Sequence, residues 1–137
     1  MSQGTELIRK EENGTLRFGD YHLSQKGKKS DFEFQGDLYK VKTYSEITKL
    51  ERNGMFVYES VPGTTVTEFH MTENGVSFQA EVPGDVQIIL GLEEDARYQV
   101  FIGEVNTGEM ETQMGGKLVL SVEAAPGDLI PVKVVKQ

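Results

Sequence analysis

The stretch Val86–Val105, VQIILGLEEDARYQVFIGEV, decides the fold class. Val86, Ile88, Leu90 and Leu92 alternate along one face of a strand, and Tyr98, Val100 and Ile102 do the same along the next. Between them, Glu93-Glu94-Asp95 is a charge run that has to face water. The spacing from Gly91-Leu92 to Tyr98-x-Val100 is that of a tyrosine corner. In such a corner the ring points inward and the hydroxyl bonds to the backbone just upstream.

Working outward, the same period-2 alternation recurs. Val76, Phe78, Ala80 and Val82 share a face, as do Leu118, Leu120 and Val122, and then Ile130, Val132 and Val134. Pro131 falls on the opposite face of the last strand and is expected on a sheet edge. Gly108–Met114 reads as a polar edge strand with Glu109 and Glu111 on one side. Asn-Gly pairs at 13–14, 53–54 and 74–75 predict tight hairpin turns with positive φ at both central residues. The first hairpin should pair Glu6–Glu11 with Thr15–Leu23, and a bulge at Gly19 would explain the switch of face between Phe18 and Tyr21. Ser24–Ser30 reads as a polar loop whose Lys26, Lys28 and Lys29 could grip an anion, a solvated loop being the plainer reading. Asp31–Thr43 gives two strands around Gly36; Tyr44–Arg52 suits a strand better than a helical turn, and Met55–Ser60 is a strand. Val61-Pro62-Gly63 punctuates the chain and sets a boundary. The expectation is an all-β chain: a small β-hairpin unit over 1–62, then an immunoglobulin-like antiparallel β-sandwich over 63–137.

Composition narrows the function classes. The 137 residues include no cysteine, which excludes disulfides, thiolate catalysis and cysteine-ligated metals. No apolar run has the length of a signal peptide or of a membrane span of about 20 residues, so the reading is cytoplasmic. The net charge of −8 is uneven: residues 1–60 hold ten Lys+Arg against ten Asp+Glu, whereas residues 61–137 hold four against twelve. Such an acidic surface disfavours nucleic acid and anionic membranes as partners.

Leu92, Tyr98 and Val100 resemble the G-L-x-P-x-T-x-Y-x-V signature of fibronectin type III domains, with Glu94 in place of the Pro and Ala96 in place of the Thr. Tyr98-x-Val100, Gly103, Thr112, Gly116, Leu118, Leu120, Val122 and Val132-x-Val134 are similar to the accessory β-sandwich that closes many bacterial polysaccharide-processing enzymes. As a whole, and most over Asp37–Val61, the chain resembles a family of short uncharacterised bacterial proteins, some labelled endosialidase. The residues do not support that label. Sialidases use an arginine cluster and a Tyr–Glu pair, many with Asp boxes ending in Trp; this chain has four arginines, no Trp and no Asp box.

The search for chemistry returns little. His22 and His70 have no partner at metal-ligand spacing. Glu109 and Glu111 share a face and could hold calcium with Asp85 or Glu104, a solvated edge being the plainer alternative. Glu11-Glu12 point to opposite faces of a strand and cannot converge as a glycosidase pair. No nucleophile elbow or phosphate loop is present. No catalytic, cofactor-binding or metal-binding residue is therefore expected. Eight of the twelve aromatics precede residue 61, and Tyr39 with Tyr44, or Phe56 with Tyr58, are the candidate positions for stacking on a sugar. The leading expectation is a non-enzymatic interaction or structural module with a protein partner or a second copy of itself. The alternative is a carbohydrate-binding accessory module using those tyrosines.

Overall fold

The computed structural model describes residues 6–137, and among them it forms thirteen strands and no α-helix. They are β1 (Ile8–Lys10), β2 (Leu16–Phe18), β3 (Gly27–Phe34), β4 (Asp37–Tyr44), β5 (Ile47–Arg52), β6 (Met55–Val61) and β7 (Thr65–Thr72). After these come β8 (Gly75–Glu81), β9 (Val86–Gly91), β10 (Arg97–Ile102), β11 (Val105–Glu111), β12 (Lys117–Val122) and β13 (Leu129–Lys136). A seven-stranded antiparallel sheet runs β1-β2-β7-β8-β13-β10-β11, and a six-stranded one runs β12-β9-β6-β5-β4-β3. The alternating apolar positions face each other across the two layers and form one core. At its centre Tyr58 of the smaller sheet meets Phe18 and Phe78 of the larger edge to face, with ring centroids 5.2 and 5.5 Å apart.

The deciding stretch does what its pattern implies, with one addition. Val86, Ile88, Leu90, Tyr98 and Val100 are buried. β9 and β10 do not pair, however; they belong to different sheets, and Leu92–Ala96 carries the chain from one to the other. Tyr98 turns its ring into the core, and its hydroxyl accepts a hydrogen bond from the Glu93 N–H at 3.3 Å. Thr112 fastens the same corner, its hydroxyl donating to the Glu93 carbonyl at 2.9 Å.

Several local expectations are corrected. Only Asn53-Gly54 has positive φ at both residues, in the two-residue turn between Arg52 and Met55. In the β7–β8 hairpin the central pair is Glu73-Asn74, and Asn74 has negative φ. The Asn13-Gly14 turn closes over Glu11–Thr15, with only Gly14 at positive φ. Gly19 does not bulge. The chain leaves the sheet there at φ +90°, and a Cβ at that position would sit 2.6 Å from the Thr64 carbonyl oxygen. The bulge lies instead on β7, where Glu68 (φ +53°) lets Val66 and Phe69, three apart, both face the core. Gly27–Ser30, expected in a loop, opens β3. Pro131 is on an interior strand, between β8 and β10. Its carbonyl accepts from Gly103 just beyond the last β10 partner, Ile102, so its nitrogen faces the end of a ladder where no N–H is required.

The boundary at Val61-Pro62-Gly63, whose Val61–Pro62 bond is cis, is the point where the chain passes from one sheet to the other. Strands from either side of it pair directly, β2 with β7 and β6 with β9. A buried hydroxyl cluster secures this crossing. The Thr48 hydroxyl donates to the Thr64 carbonyl at 2.8 Å and accepts from the Thr64 N–H at 3.0 Å. With the proton of Thr48 so committed, the Thr43 hydroxyl is the donor in their 2.8 Å contact, and it accepts in turn from the Asp20 N–H.

Candidate functional site

The turns at one end of the sandwich leave the core open. Asn53-Gly54, the β7–β8 turn at Glu73 and the Gly91–Glu93 crossover stand apart around a cleft of about 330 Å³. Phe56, Val57, Met71, Leu92 and Tyr98 line it together with the polar Arg52, Glu73 and Glu93. Lys136 reaches across to pair with Glu93, and that hydrogen bond holds its ammonium above the ordinary lysine value. Met55 lines the opening and is 72% exposed; Met114, next to the lining residue Gly115, is 94% exposed. Leu38 is half exposed on the outer face of β4, and its backbone N–H and carbonyl bond Asn53 of the neighbouring turn. Methionine is a flexible side chain that adapts its shape to what it meets.

The aromatic candidates divide between the core and its margins. Tyr58 is fully buried, and its hydroxyl bonds Thr64 Oγ1 at 2.8 Å. Burial pushes that phenol up to about 12, the hydrogen bonds to Thr64 and Ser60 pulling the other way. Tyr39 is buried against Phe34, and burial raises its pKa as well, with Arg52 opposing. Tyr44 is half-exposed and lies on the other face of β4 from Tyr39, with the Lys26 ammonium 5.6 Å from its ring centroid. Phe56 lines the end cleft beside Gly91. The structure therefore brings neither Tyr39 to Tyr44 nor Phe56 to Tyr58 as an exposed coplanar pair.

The titratable candidates lie apart from one another. His22 is exposed, stacked on Tyr21, with Nδ1 3.3 Å from Asp20. Tyr21 itself donates to Glu81 at 2.8 Å, and desolvation together with that carboxylate raises it to about 12. His70 lies on the outer face of the larger sheet, in a shallow groove with Glu68, Gln79 and Pro131. Glu109 and Glu111 do share a face of β11, but Arg97 occupies the space between them, 3.7 and 3.6 Å away. Asp85 is occupied too, accepting from the Ala124 N–H. Among the described residues no three histidine or acidic side chains converge as a metal site. No helix among them is long and apolar enough to cross a membrane.

No family model, curated protein or solved structure matches this chain.

One feature escapes the sequence pattern altogether. On the outer face of the smaller sheet, Lys28 of β3 stands directly opposite Lys42 of β4, which stands opposite Lys49 of β5. The three are 14 and 7 residues apart in the chain, and only strand register lines them up.

Proposed function

We propose that this protein is a non-catalytic interaction module of the cytoplasm, binding a partner protein through the open end of its sandwich. The observation that carries the reading is the exposed Met55 on a cleft lined by Phe56, Met71 and Leu92, with the exposed Met114 next to the lining residue Gly115. A partner's apolar side chain entering that cleft would remove both surfaces from water, at roughly 25 cal/mol for each Å² of apolar area covered. The immunoglobulin-like assignment belongs to the same reading. Its support is the Tyr98–Glu93 bond at the crossover between sheets, and sandwiches of that kind bind with the turns at one end. The carbohydrate alternative is weaker, since Tyr39 and Tyr58 are spent in the core.

The test is a tagged pull-down from the native host comparing the wild-type chain with a Met55→Glu/Met114→Glu double variant. Both methionines are exposed, so the variant keeps its fold by circular dichroism. The expected result is a stoichiometric protein retained by the wild type and lost by the variant. An empty pull-down, or identical proteins on both, overturns this site.

A further inference from the structure

We propose that the outer face of β3–β4–β5 is a second binding surface, built for an extended acidic segment of a partner chain that presents a run of carboxylates. Neighbouring strands are about 4.8 Å apart, so Lys28, Lys42 and Lys49 set three ammonium groups in a line of about 10 Å. Lys40 lies two residues from Lys42 on the same face of β4, and Lys28, Lys40, Lys42 and Lys49 with Glu51 enclose a dimple of about 60 Å³. Like charges directly opposite in a sheet destabilise it. Lys42 registers this: the charge of Lys26 first, then desolvation, then Lys28, Lys49 and Lys40 hold its ammonium below the ordinary lysine value. Two carboxylates border the group: Glu51, opposite Lys40 in register and 3.7 Å from Lys49, and Glu59, opposite Lys49 on β6.

Protection of a sheet edge does not account for the row. Lysines guard edge strands, as Lys28 and Lys29 do on β3, but β4 and β5 are interior strands with no edge to guard. Lys28, Lys42 and Lys49 still stand in line across three strands, and a bound polyanion would relieve their repulsion.

The chemistry of the patch favours carboxylates on a short segment. The chain carries −8 overall, so a long polyphosphate extending past the patch meets a repelling surface, whereas a segment confined to it feels the local positive field within a Debye length of about 8 Å. The one aromatic ring beside the row, Tyr44, two residues from Lys42 on the same face, has the Lys26 ammonium 5.6 Å from its centroid, and no ring stands between the three lysines. A second copy of the chain is a poorer occupant, because its acidic strand β11 already has Glu109 and Glu111 paired with Arg97.

The experiment is fluorescence anisotropy of a labelled decaglutamate peptide titrated with the full chain at low ionic strength. Two variants are compared that remove equal charge: Lys28→Gln/Lys42→Gln/Lys49→Gln, and Lys10→Gln/Lys117→Gln/Lys133→Gln elsewhere on the surface. Saturable binding is expected for the wild type, weakened about tenfold or more by the first variant and less than about twofold by the second. Absence of binding, or equal weakening by both, overturns the proposal. A decathymidylate or a decagalacturonate binding more tightly than decaglutamate also overturns it, reassigning the row to a phosphate backbone or an acidic glycan. None of these outcomes depends on the end cleft.

Discussion

At the scale of single residues, the buried polar groups carry more of the structure's specificity than the alternating apolar ones. Tyr58 is the clearest instance. Its ring holds the centre of the core, and its hydroxyl has to find a partner in an environment without water, which Thr64 supplies at 2.8 Å. Because burial raises the phenol from 10.0 to about 12, the neutral form is the one the fold accepts. The sign of the pH dependence follows. The unfolded chain releases this proton near pH 10 and the folded chain only near 12, so the contribution is complete below pH 10 and is lost as pH climbs to about 12. A shift of that size corresponds to roughly 2–3 kcal/mol. Tyr58→Phe should be less stable than wild type at pH 7 by about 1 kcal/mol, having lost the hydrogen bond to Thr64. Its stability should also fall less steeply between pH 10 and 12. Urea midpoints measured across that range check both; parallel curves for the two proteins would place the alkaline transition elsewhere, Tyr21 beside Glu81 being the next group to test.

At the scale of elements, alternation names the face of a strand but not its neighbours, and that is where the sequence stops being legible. β8, β9, β10, β12 and β13 have their inward residues where the pattern puts them. That β9 and β10 lie in opposite sheets, or that Pro131 sits on an interior strand, is settled by long-range pairing, which leaves no local trace. The lysine row is hidden in the same way. Lys28 reads as part of a loop, and Lys42 and Lys49 as ordinary outward charges, until register sets them in a line. β7 shows a local conflict resolved by tertiary structure: Val66 and Phe69 both belong in the core, and the extra residue between them, Glu68, is forced to φ +53°. A left-handed conformation costs an ordinary residue about 1–2 kcal/mol and glycine almost nothing. Glu68 is exposed, so its side chain is not needed for packing. Glu68→Gly should therefore stabilise the protein, by about 0.5–1 kcal/mol after the added freedom of the unfolded chain is subtracted, against the usual penalty for glycine inside a strand. Chemical denaturation decides it: a destabilised variant would mean that β7 does not bulge at this position.

At the scale of the whole molecule, the chain passes from one sheet to the other at Pro62 without starting a second core. The first 62 residues supply β2, which pairs β7, and β6, which pairs β9; Tyr58 from the first part packs between Phe18 of its own side and Phe69 and Phe78 of the other. Cutting after Gly63 would take β6 away from β9, leaving β9 with β12 as a two-stranded remnant of the smaller sheet. Isolated two-stranded ribbons are marginal in water, and a part of roughly 60 residues buries too little surface to make up the loss. The full chain should accordingly unfold in urea as one transition, with circular dichroism and tyrosine fluorescence coincident. The separate pieces 1–63 and 64–137 should each give collapsed, poorly dispersed amide spectra, and mixing them should restore dispersion as the β6–β9 and β2–β7 ladders re-form. A well-dispersed spectrum from 64–137 alone would show that the second part can close its own core, and the Tyr58 cluster would then be an interface between two folded units rather than the centre of one.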